Sequence, residues 1–386
     1  MRKTLSTVSL LLPALFLGCA KGEDTSRPTG EVKLAAEHHF FALTTEAKFA
    51  GFPVVATQTS SDRGILVMKD DSTYFVRRGT TESSSASYAL SKNGQFSVLV
   101  TVASNQPDAR YMGGYGLEGN TNHLFFADRY TTTSANRVGL FLGVRRLTAS
   151  FDLAGEWHLC SQHVIFAGSS LPDPNNVARS AYGLIEVDSN RQITGTGSES
   201  SRANLTFTGS ATTFADGALN LTLRYRDATG SDERAFLGAA GKNFVIALDA
   251  DETDGETGLL MLVKKRTGTI SLADLAGDYH VGLHTVFINP SNCGSDAAVG
   301  TLTLSDQGGF RLECEGARGV DFTYTGTFTA ANDGKLVFTV SGTNETWTGA
   351  VDQDNKTIAV IDNFVEQRQN NLPELNFIVA LRKVKV

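Results

Sequence analysis

The sequence lacks the short motifs that mark the common catalytic sites. It contains no Gly-x-Ser-x-Gly, no His-Glu-x-x-His, no Walker loop and no Cys-x-x-Cys-His pattern. Serine and threonine are abundant, as strand surfaces and turns require, so a dispersed catalytic triad remains an alternative. The missing motifs favour a protein that is not an enzyme and that carries no cofactor.

Positive charge and long apolar runs are also scarce. The chain has 34 Lys and Arg residues against 41 Asp and Glu residues, and the cations form no cluster. A moderately acidic protein of this kind is a poor candidate for binding nucleic acid or anionic lipid. Beyond residue 18 no run is long and apolar enough for a transmembrane helix, and no segment has the sustained periodicity and caps of a long helix.

The N-terminus has a different composition from the rest of the chain. Arg2 and Lys3 precede an apolar segment, residues 5–17, that is too short to span a bilayer, which is the pattern of a secretory signal peptide. The segment runs into Leu-Phe-Leu-Gly-Cys at residues 15–19, which resembles the lipobox of bacterial lipoproteins, with Phe16 where Leu is usual. The resemblance implies cleavage after a signal peptide of residues 1–18 and attachment of lipid to the sulfur of Cys19.

The resemblance to bacterial lipoproteins also predicts a location. Cleavage would remove two cations and no acid, which takes the formal net charge from −7 to −9. Two or three lipid chains hold a protein durably on a membrane. Ala20, rather than Asp, follows the cysteine, which favours the outer membrane without indicating which face. Residues 19–33 are small, polar and charged, so we expect a lipidated flexible tether there.

Replacing the cysteine of the lipobox tests the anchor. Cys19→Ser removes the sulfur that would carry the lipid, so we expect the protein to move from the membrane fraction to the soluble fraction. Cys160→Ser leaves the lipobox intact and should remain with the membrane. Fractionation followed by immunoblotting measures the distribution. A Cys19→Ser protein that stays membrane-bound would show that the lipobox assignment is wrong.

The body of the sequence repeats itself. Residues 152–158 read Asp-Leu-Ala-Gly-Glu-Trp-His, residues 274–280 read Asp-Leu-Ala-Gly-Asp-Tyr-His, and residues 34–39 are a weaker copy. Five further patterns follow each copy in the same order, the last of them an apolar run closed by two cations. Internal repetition of this kind predicts tandem structural units. The three predicted units span residues 34–150, 151–270 and 271–386.

Each unit has the pattern of antiparallel β-structure. Short runs rich in Val, Ile, Thr, Phe and Leu are separated by turn residues, and Asn-Gly or Asp-Gly pairs supply tight hairpin turns. Eight sequential strands leave two open edges unless they close, so we predict an up-and-down β-barrel for each unit. The alternative is a six-bladed β-propeller with two blades per unit. In the second unit the predicted strands are 157–167, 180–188, 191–197, 203–209, 218–226, 232–239, 242–249 and 257–265.

The ends of the units resemble a known superfamily. A first strand opens with Gly155 and Trp157 in the second unit and with Gly277 and Tyr279 in the third. Cations close the last strands of the three units: Arg145, Lys264 and Arg382. This pairing resembles the lipocalin and calycin superfamily, although only the second unit has the strict Gly-x-Trp. The resemblance implies an eight-stranded barrel in which the terminal cation packs over the tryptophan.

The last strand of the second unit is apolar at every position from Leu259 to Val263. In an isolated barrel one face of each strand should meet solvent. A strand that is apolar on both faces predicts that neighbouring units pack against each other. We therefore expect a compact group of three barrels.

Three cysteines follow Cys19. An exported protein can form disulfides, and Cys293 and Cys314 lie in the same unit, so they are the predicted pair. The alternative is that both are free and buried. Cys160 is then left over, and a small buried residue is the favoured interpretation.

Histidines recur in the units at the position after the Gly-x-Trp slot. They are His39, His158 and His280. A ligand contact repeated in each unit is one interpretation, and a structural hydrogen bond near the barrel mouth is the favoured one. Because neighbours on a strand face opposite ways, an inward Trp157 would place His158 outward. The acidic stretch 249–256 departs from the calcium loop of an EF-hand, so no metal site is predicted.

A column of aromatic residues also recurs. Its members are Tyr111, Phe236 and Trp347, to which Trp157 and Tyr279 can be added. These rings are candidates for a ligand pocket, together with His158 and His280, but a barrel core is the favoured interpretation.

The favoured function is that of a non-enzymatic outer-membrane lipoprotein that serves as a binding and interaction module of the cell envelope. Its partners would be the membrane, through the lipid on Cys19, and an envelope protein. One alternative is the carriage of a small apolar or sugar-like ligand inside the barrels. Another is an envelope hydrolase with a site at a junction between units. Filled barrels would disfavour carriage, and a buried His–acid–Ser group present in one unit only would favour the hydrolase.

Overall fold

The chain folds almost entirely into β-strands. The computed structural model describes residues 35–48, 55–83, 85–90, 95–100, 109–118, 121–128, 136–149, 151–165, 178–200, 202–249, 256–289, 292–316, 321–343, 345–362 and 374–383. Within these ranges there are strands β1 to β25 and one short helix, α1, which confirms the all-β class. In the same ranges no helix has the length and apolar character needed to cross a membrane.

The first nine strands form one sheet, which we name the N-terminal sheet. Its strands are β1 (Ala36–Lys48), β2 (Val55–Met68), β3 (Thr73–Arg78), β4 (Thr81–Glu82), β5 (Ala86–Leu90), β6 (Gln95–Val100), β7 (Ala109–Glu118), β8 (Thr121–Asp128) and β9 (Asn136–Arg145). The order in the sheet is β2-β1-β9-β8-β7-β6-β5-β3-β4, and β2 pairs with β3 as well.

The next eight strands close into the middle barrel. They are β10 (Gly155–Ile165), β11 (Ala178–Val187), β12 (Gln192–Glu199), β13 (Arg202–Thr213), β14 (Ala218–Arg226), β15 (Ser231–Ala240), β16 (Phe244–Asp249) and β17 (Glu256–Lys264). All eight strands predicted for the second unit are present. Each strand pairs with its sequence neighbours and β17 pairs with β10, as an up-and-down barrel requires.

The remaining strands form the C-terminal barrel, which is also closed. After α1 (Leu272–Leu275) come β18 (Gly277–Asn289), β19 (Asn292–Leu304), β20 (Gly309–Gly316), β21 (Asp321–Ala330), β22 (Lys335–Val340), β23 (Thr346–Val351), β24 (Thr357–Asp362) and β25 (Glu374–Arg382). Two closed eight-stranded barrels do not support the propeller alternative.

The repeated seven-residue stretch closes one end of each barrel. Trp157 is fully buried in the middle barrel, and its Nε1–H donates to the carbonyl oxygen of Leu153 at 2.9 Å. In the C-terminal barrel the hydroxyl of Tyr279 donates to the carbonyl oxygen of Leu275, also at 2.9 Å. Both leucines are themselves fully buried. The stretch recurs because it supplies an aromatic plug and the carbonyl that fixes it.

A cation covers each plug, as the resemblance to lipocalins implies. Lys264 Nζ lies 5.4 Å from the centroid of the Trp157 ring, and the guanidinium carbon of Arg382 lies 5.7 Å from that of Tyr279. The glycines that open the two strands have φ values of 122° and 137°, which a residue with a side chain rarely adopts. They are Gly155 and Gly277.

The last strand of the middle barrel faces two different cores. In β17, Leu260 and Leu262 point into the barrel, whereas Leu259, Met261 and Val263 join an apolar core shared with the rest of the chain. Strand β25 alternates in the same way, with Leu375, Phe377, Val379 and Leu381 in the shared core and Ile378 and Ala380 inside the barrel. This second apolar face confirms the predicted packing between neighbouring units.

The contacts between the three parts of the chain close into a ring. Strand β1 lies beside β15 and β16, β10 lies beside β23 and β24, and β18 lies beside β7 and β8. The shared core accordingly contains residues of the N-terminal sheet, the middle barrel and the C-terminal barrel. Each part is therefore supported by both of the others.

Histidine hydrogen bonds join successive units. His39 Nε2 lies 3.1 Å from the carbonyl oxygen of Asp216, and His158 Nε2 lies 2.8 Å from that of Asp333. Both aspartates precede a glycine with positive φ in a hairpin turn. Because a carbonyl oxygen only accepts, the Nε2–H of each ring donates. The recurring histidine makes a structural hydrogen bond, as predicted, but its partner belongs to the next unit.

The predicted disulfide between Cys293 and Cys314 is wrong. Cys314 is a free thiol, and burial raises its pKa to about 12. The residue opposite Cys314 on β19 is Gly300, which stands seven residues after Cys293, or roughly 23 Å along an extended strand. A disulfide requires Cα atoms within about 7 Å. The side chain of Cys293 lies outside the described part of the chain, and Cys160 is buried, as predicted.

Truncation of one shared-core ring tests whether the three parts fold as a unit. Phe377 is fully buried in this core, so Phe377→Ala should lower the free energy of unfolding by about 3–5 kcal/mol. Phe214 is 46% exposed, and Phe214→Ala should change it by no more than about 0.5 kcal/mol. Denaturant unfolding followed by circular dichroism measures both. We expect one transition, and a separate transition for one barrel would contradict the shared core.

Candidate functional site

The aromatic residues considered for a ligand pocket form the packed interiors of the barrels. Trp157 and Phe236 lie in the core of the middle barrel, and Tyr279 and Trp347 lie in that of the C-terminal barrel. All four are at most 1% exposed. Their positions agree with the core interpretation. The side chain of Tyr111 lies outside the described part of the chain.

The other candidates are not brought together with these rings. His158 faces away from the barrel interior and contacts the C-terminal barrel, as predicted from the inward direction of its neighbour Trp157. His280 is buried, with 5% exposure, on the outward face of β18. Cys19, with the rest of residues 1–34, lies outside the described residues.

The interior of the middle barrel changes from apolar to polar away from its plug. Along β10 the inward residues are Trp157, Leu159, Ser161 and His163, because alternate residues share a face. Ser161 and His163 are at most 1% exposed. Gly258 is paired with His163 across the sheet, and a Cβ there would lie 2.3 Å from the imidazole Nδ1. The glycine therefore makes room for the histidine ring.

Arg234 is the centre of a buried group of charges at this polar end. Its guanidinium lies 3.1 Å from the carboxylate of Asp249, 2.5 Å from that of Glu256 and 2.8 Å from that of Asp232. Burial opposes the charge, but the carboxylates outweigh it and raise the pKa of Arg234. Burial also raises the pKa of Glu256, and Arg234 opposes that shift. The charges are stable here only as a set, because a buried ion without its partner is costly.

The contact with Arg234 determines the tautomer of His163. Arg234 Nη1 lies 3.1 Å from His163 Nδ1, and a guanidinium only donates, so Nδ1 accepts. Burial, followed by the nearby Arg234, Arg179 and Arg202, holds the pKa of His163 well below its ordinary value, so the ring is neutral. Nε2 therefore carries the proton. A histidine that donates from Nε2 cannot act as the base for Ser161, which is the role a serine hydrolase needs.

A second ion pair stands beside this group. Arg202 Nε lies 2.6 Å from the carboxylate of Glu199, and Asp227 lies 3.9 Å from the same guanidinium nitrogen. Strand β13 begins at Arg202 and β12 ends at Glu199, so this pair lies at the same end of the barrel as Arg234. The polar end thus contains three arginines, including Arg179, and the carboxylates around them outnumber the arginines.

The C-terminal barrel has no such group among its described residues. Thr285 stands at the position of His163, and its hydroxyl donates to Asn376 Oδ1 at 2.6 Å. Glu345 stands at the position of Arg234, and its carboxylate accepts the Nε1–H of Trp347 at 2.5 Å. Both Thr285 and Glu345 therefore have a partner within the barrel. Of the two closed barrels, the middle one alone has the histidine and arginine group.

Sequence analysis did not select the residues of this polar end as a site. The available signal was the two-residue period of the strands. Counting from an inward Trp157 places Ser161 and His163 inside the barrel, and counting back from Phe236 places Arg234 inside as well. Polar residues at inward positions are unusual, because burial without a partner is unfavourable.

Comparisons with known proteins do not identify a family for this chain. No protein-family model and no curated protein matches it. A transferrin binding protein B double mutant from Haemophilus parasuis Hp5 is 7% identical, over 91% of this chain and 77% of that chain, with a TM-score of 0.33. The corresponding protein of Neisseria meningitidis serogroup B is 9% identical, over 91% and 77%, with a TM-score of 0.30.

A third solved structure is a protein of unknown function from the DUF3598 family of Nostoc punctiforme. It is 13% identical, over 60% of this chain and 96% of that chain, with a TM-score of 0.23. Scores this low do not indicate a shared fold. They carry no argument about what this chain binds.

Tyr182, which is half-buried, and Tyr225, which is fully buried, have opposite surroundings and test the geometry. The Tyr182 hydroxyl donates to His158 Nδ1 at 2.8 Å, whereas the Tyr225 hydroxyl has no hydrogen-bond partner among the described residues. Tyr182→Phe should lower the free energy of unfolding by about 1–2 kcal/mol, because the imidazole nitrogen loses its donor. Tyr225→Phe should leave it unchanged or raise it by up to about 1 kcal/mol. Urea unfolding measures both, and a larger loss for Tyr225→Phe would contradict the assigned surroundings.

Proposed function

We propose that the chain is a non-enzymatic lipoprotein of the outer membrane, anchored through Cys19, whose β-structured body is a binding and interaction module of the cell envelope. The lipobox and the tether of residues 19–33 support the anchor. The observation that supports a binding and interaction function is the distribution of buried residues. The barrel interiors are filled and the faces between units are buried in the shared core, which leaves the outward faces of the other strands for contact with a partner.

We infer that the N-terminal sheet is a third barrel of the same kind. Strand β1 pairs with both β2 and β9, and β2 pairs with β3. The pairings therefore form a closed circuit in the order β1-β2-β3-β5-β6-β7-β8-β9-β1, and β4 pairs only with β3. His38 stands at the position of Trp157, and it is paired with Arg145 as Trp157 is paired with Lys264. These correspondences support three units with one architecture.

The outward faces carry hydroxyls and charges. On β13 and β21 the exposed residues alternate with buried or half-buried ones. The exposed threonines of these two strands are Thr206, Thr208, Thr212, Thr323, Thr325, Thr327 and Thr329. Phe214 is the one large apolar residue exposed among the described residues. Such a surface suits a polar contact with a protein partner better than a permanent apolar interface.

The alternative functions are less well supported. Carriage of an apolar ligand needs an open apolar interior, but large side chains such as Phe207, Phe236 and Phe338 fill these barrels at 0–1% exposure. A hydrolase at a junction between units needs a free base. His39 and His158, which stand at two of the three junctions, donate their Nε2–H to carbonyl oxygens.

Photo-crosslinking in intact cells tests the interaction function. A photoreactive amino acid at the exposed positions Thr208 or Thr325 should give a discrete adduct with an envelope protein. The same label in a Cys19→Ser background should lose the adduct, because the unanchored protein no longer stays beside its partner. Label at Phe214, on a turn, serves as a control for random collision. Absence of adducts from the outward faces of both closed barrels would contradict the proposed function.

A further inference from the structure

The plugs of the two closed barrels lie on the same face of the body. Each plug lies where the first strand of its barrel begins. His158, the residue after the plug Trp157, contacts the carbonyl oxygen of Asp333, in a turn at the plug end of the C-terminal barrel. The backbone N–H of Arg266, just after β17, donates to the same carbonyl oxygen at 2.8 Å. We name this common end the plug face, and its hairpin turns are residues 188–191, 214–217, 305–308 and 331–334.

The N-terminal sheet meets the middle barrel at the same face. His39 Nε2 and the backbone N–H of Leu147 lie 3.1 Å and 3.0 Å from the carbonyl oxygen of Asp216, in the turn 214–217. Strand β1 begins at Ala36, three residues before His39. The chain therefore enters the folded body at the plug face.

The predicted tether is short compared with the height of the barrels. Residues 19–33 are fifteen residues, and a flexible chain of that length has a root-mean-square span of about 20 Å. Strand β18 has 13 residues, which extend over about 43 Å along the strand and, with a tilt of about 40°, over roughly 30 Å of barrel height. A tether that leaves the plug face therefore holds that face near the lipid and the opposite end, the far end, away from it.

The distribution of charge agrees with this orientation. At the far end of the C-terminal barrel, Glu315 stands directly opposite Asp321 across β20 and β21, and at that of the middle barrel carboxylates outnumber arginines. On the plug face Lys265 is paired with Glu156 at 2.7 Å. Lipid head groups carry phosphates, which repel an acidic surface and leave a surface of paired charges unaffected.

We propose that the plug face lies against the membrane that holds the lipid of Cys19, and that the far ends of the barrels point away from it toward the envelope partner. This inference rests on the proposed function, because it requires the anchor. It adds an order to the outward faces. Strands β13 and β21 run from the far end to the plug face, so Thr206 and Thr323 are presented to a partner farther from the membrane than Thr212 and Thr329.

Two fluorescent labels in the middle barrel test the orientation. Ser189→Cys places a label on the exposed turn after β11, at the plug face, and Ala228→Cys places one on the exposed turn after β14, at the far end. Both are made in a Cys293→Ser background, since the free cysteines Cys160 and Cys314 are buried. The lipidated full chain is bound to phosphatidylcholine vesicles that contain a lipid with a spin label on its head group. We expect quenching at residue 189 to exceed quenching at residue 228 about threefold or more, because the two turns are separated by roughly the height of the barrel.

The outcomes separate the orientation from the anchor. Protein that stays on the vesicles but is quenched equally at both residues, or more strongly at residue 228, would overturn the orientation and leave the anchor intact. Lipidated protein that does not bind the vesicles would contradict the anchor, and the orientation with it. As a control, Cys19→Ser with either label should remain in solution and show no quenching.

Discussion

The architecture depends on strands that are buried on both faces. In a free barrel each strand divides its residues between an apolar interior and water. Strands β17 and β25 instead divide them between two apolar cores, one inside the barrel and one shared by the whole chain. Burial of apolar side chains therefore stabilises each of these strands on both of its faces. Because the shared core takes residues from three parts of the chain, the position of each part is determined by the other two.

Much of this fold could be predicted from the sequence, and the reason is repetition. A single apolar run such as 257–265 is ambiguous, but its recurrence in register with Asp-Gly turns and plug residues identifies strands and their order. The eight strands of the middle barrel follow from this argument. The outward direction of His158 follows from the two-residue period and the inward Trp157. The two-sided character of Leu259 to Val263 likewise indicates packing between units.

The remainder depended on register and on contacts between distant segments. The pairing of Cys293 with Cys314 was inferred from closeness in sequence, but antiparallel strands bring together residues equally distant from a turn. The partners of His158 and His39 could not be predicted, since the accepting group is a backbone carbonyl of another unit and leaves no pattern in the sequence. The polar end of the middle barrel was accessible in principle through the period of the strands. Its assembly around Arg234 requires residues from β10, β15, β16 and β17 to meet, which only the closed barrel establishes.

The surface proposed for a partner lies on both closed barrels. The outward faces of β13 and β21 carry exposed threonines. The inward faces of the same barrels pack into apolar cores. The polar end of the middle barrel is internal, and Arg202 and Arg234 are ion-paired there with carboxylates.

The contact of β18 with β7 and β8 has a consequence for the order in which the polypeptide can acquire its structure. Synthesis from the N-terminus delivers the N-terminal sheet first and β25 last. Until β25 arrives, the ring is incomplete, and the shared core lacks Leu375, Phe377, Val379 and Leu381. The segments that are made earlier therefore leave apolar surface exposed to water until the last strand is in place. Stable folding is thus expected to begin only once the whole chain is available, rather than one unit at a time.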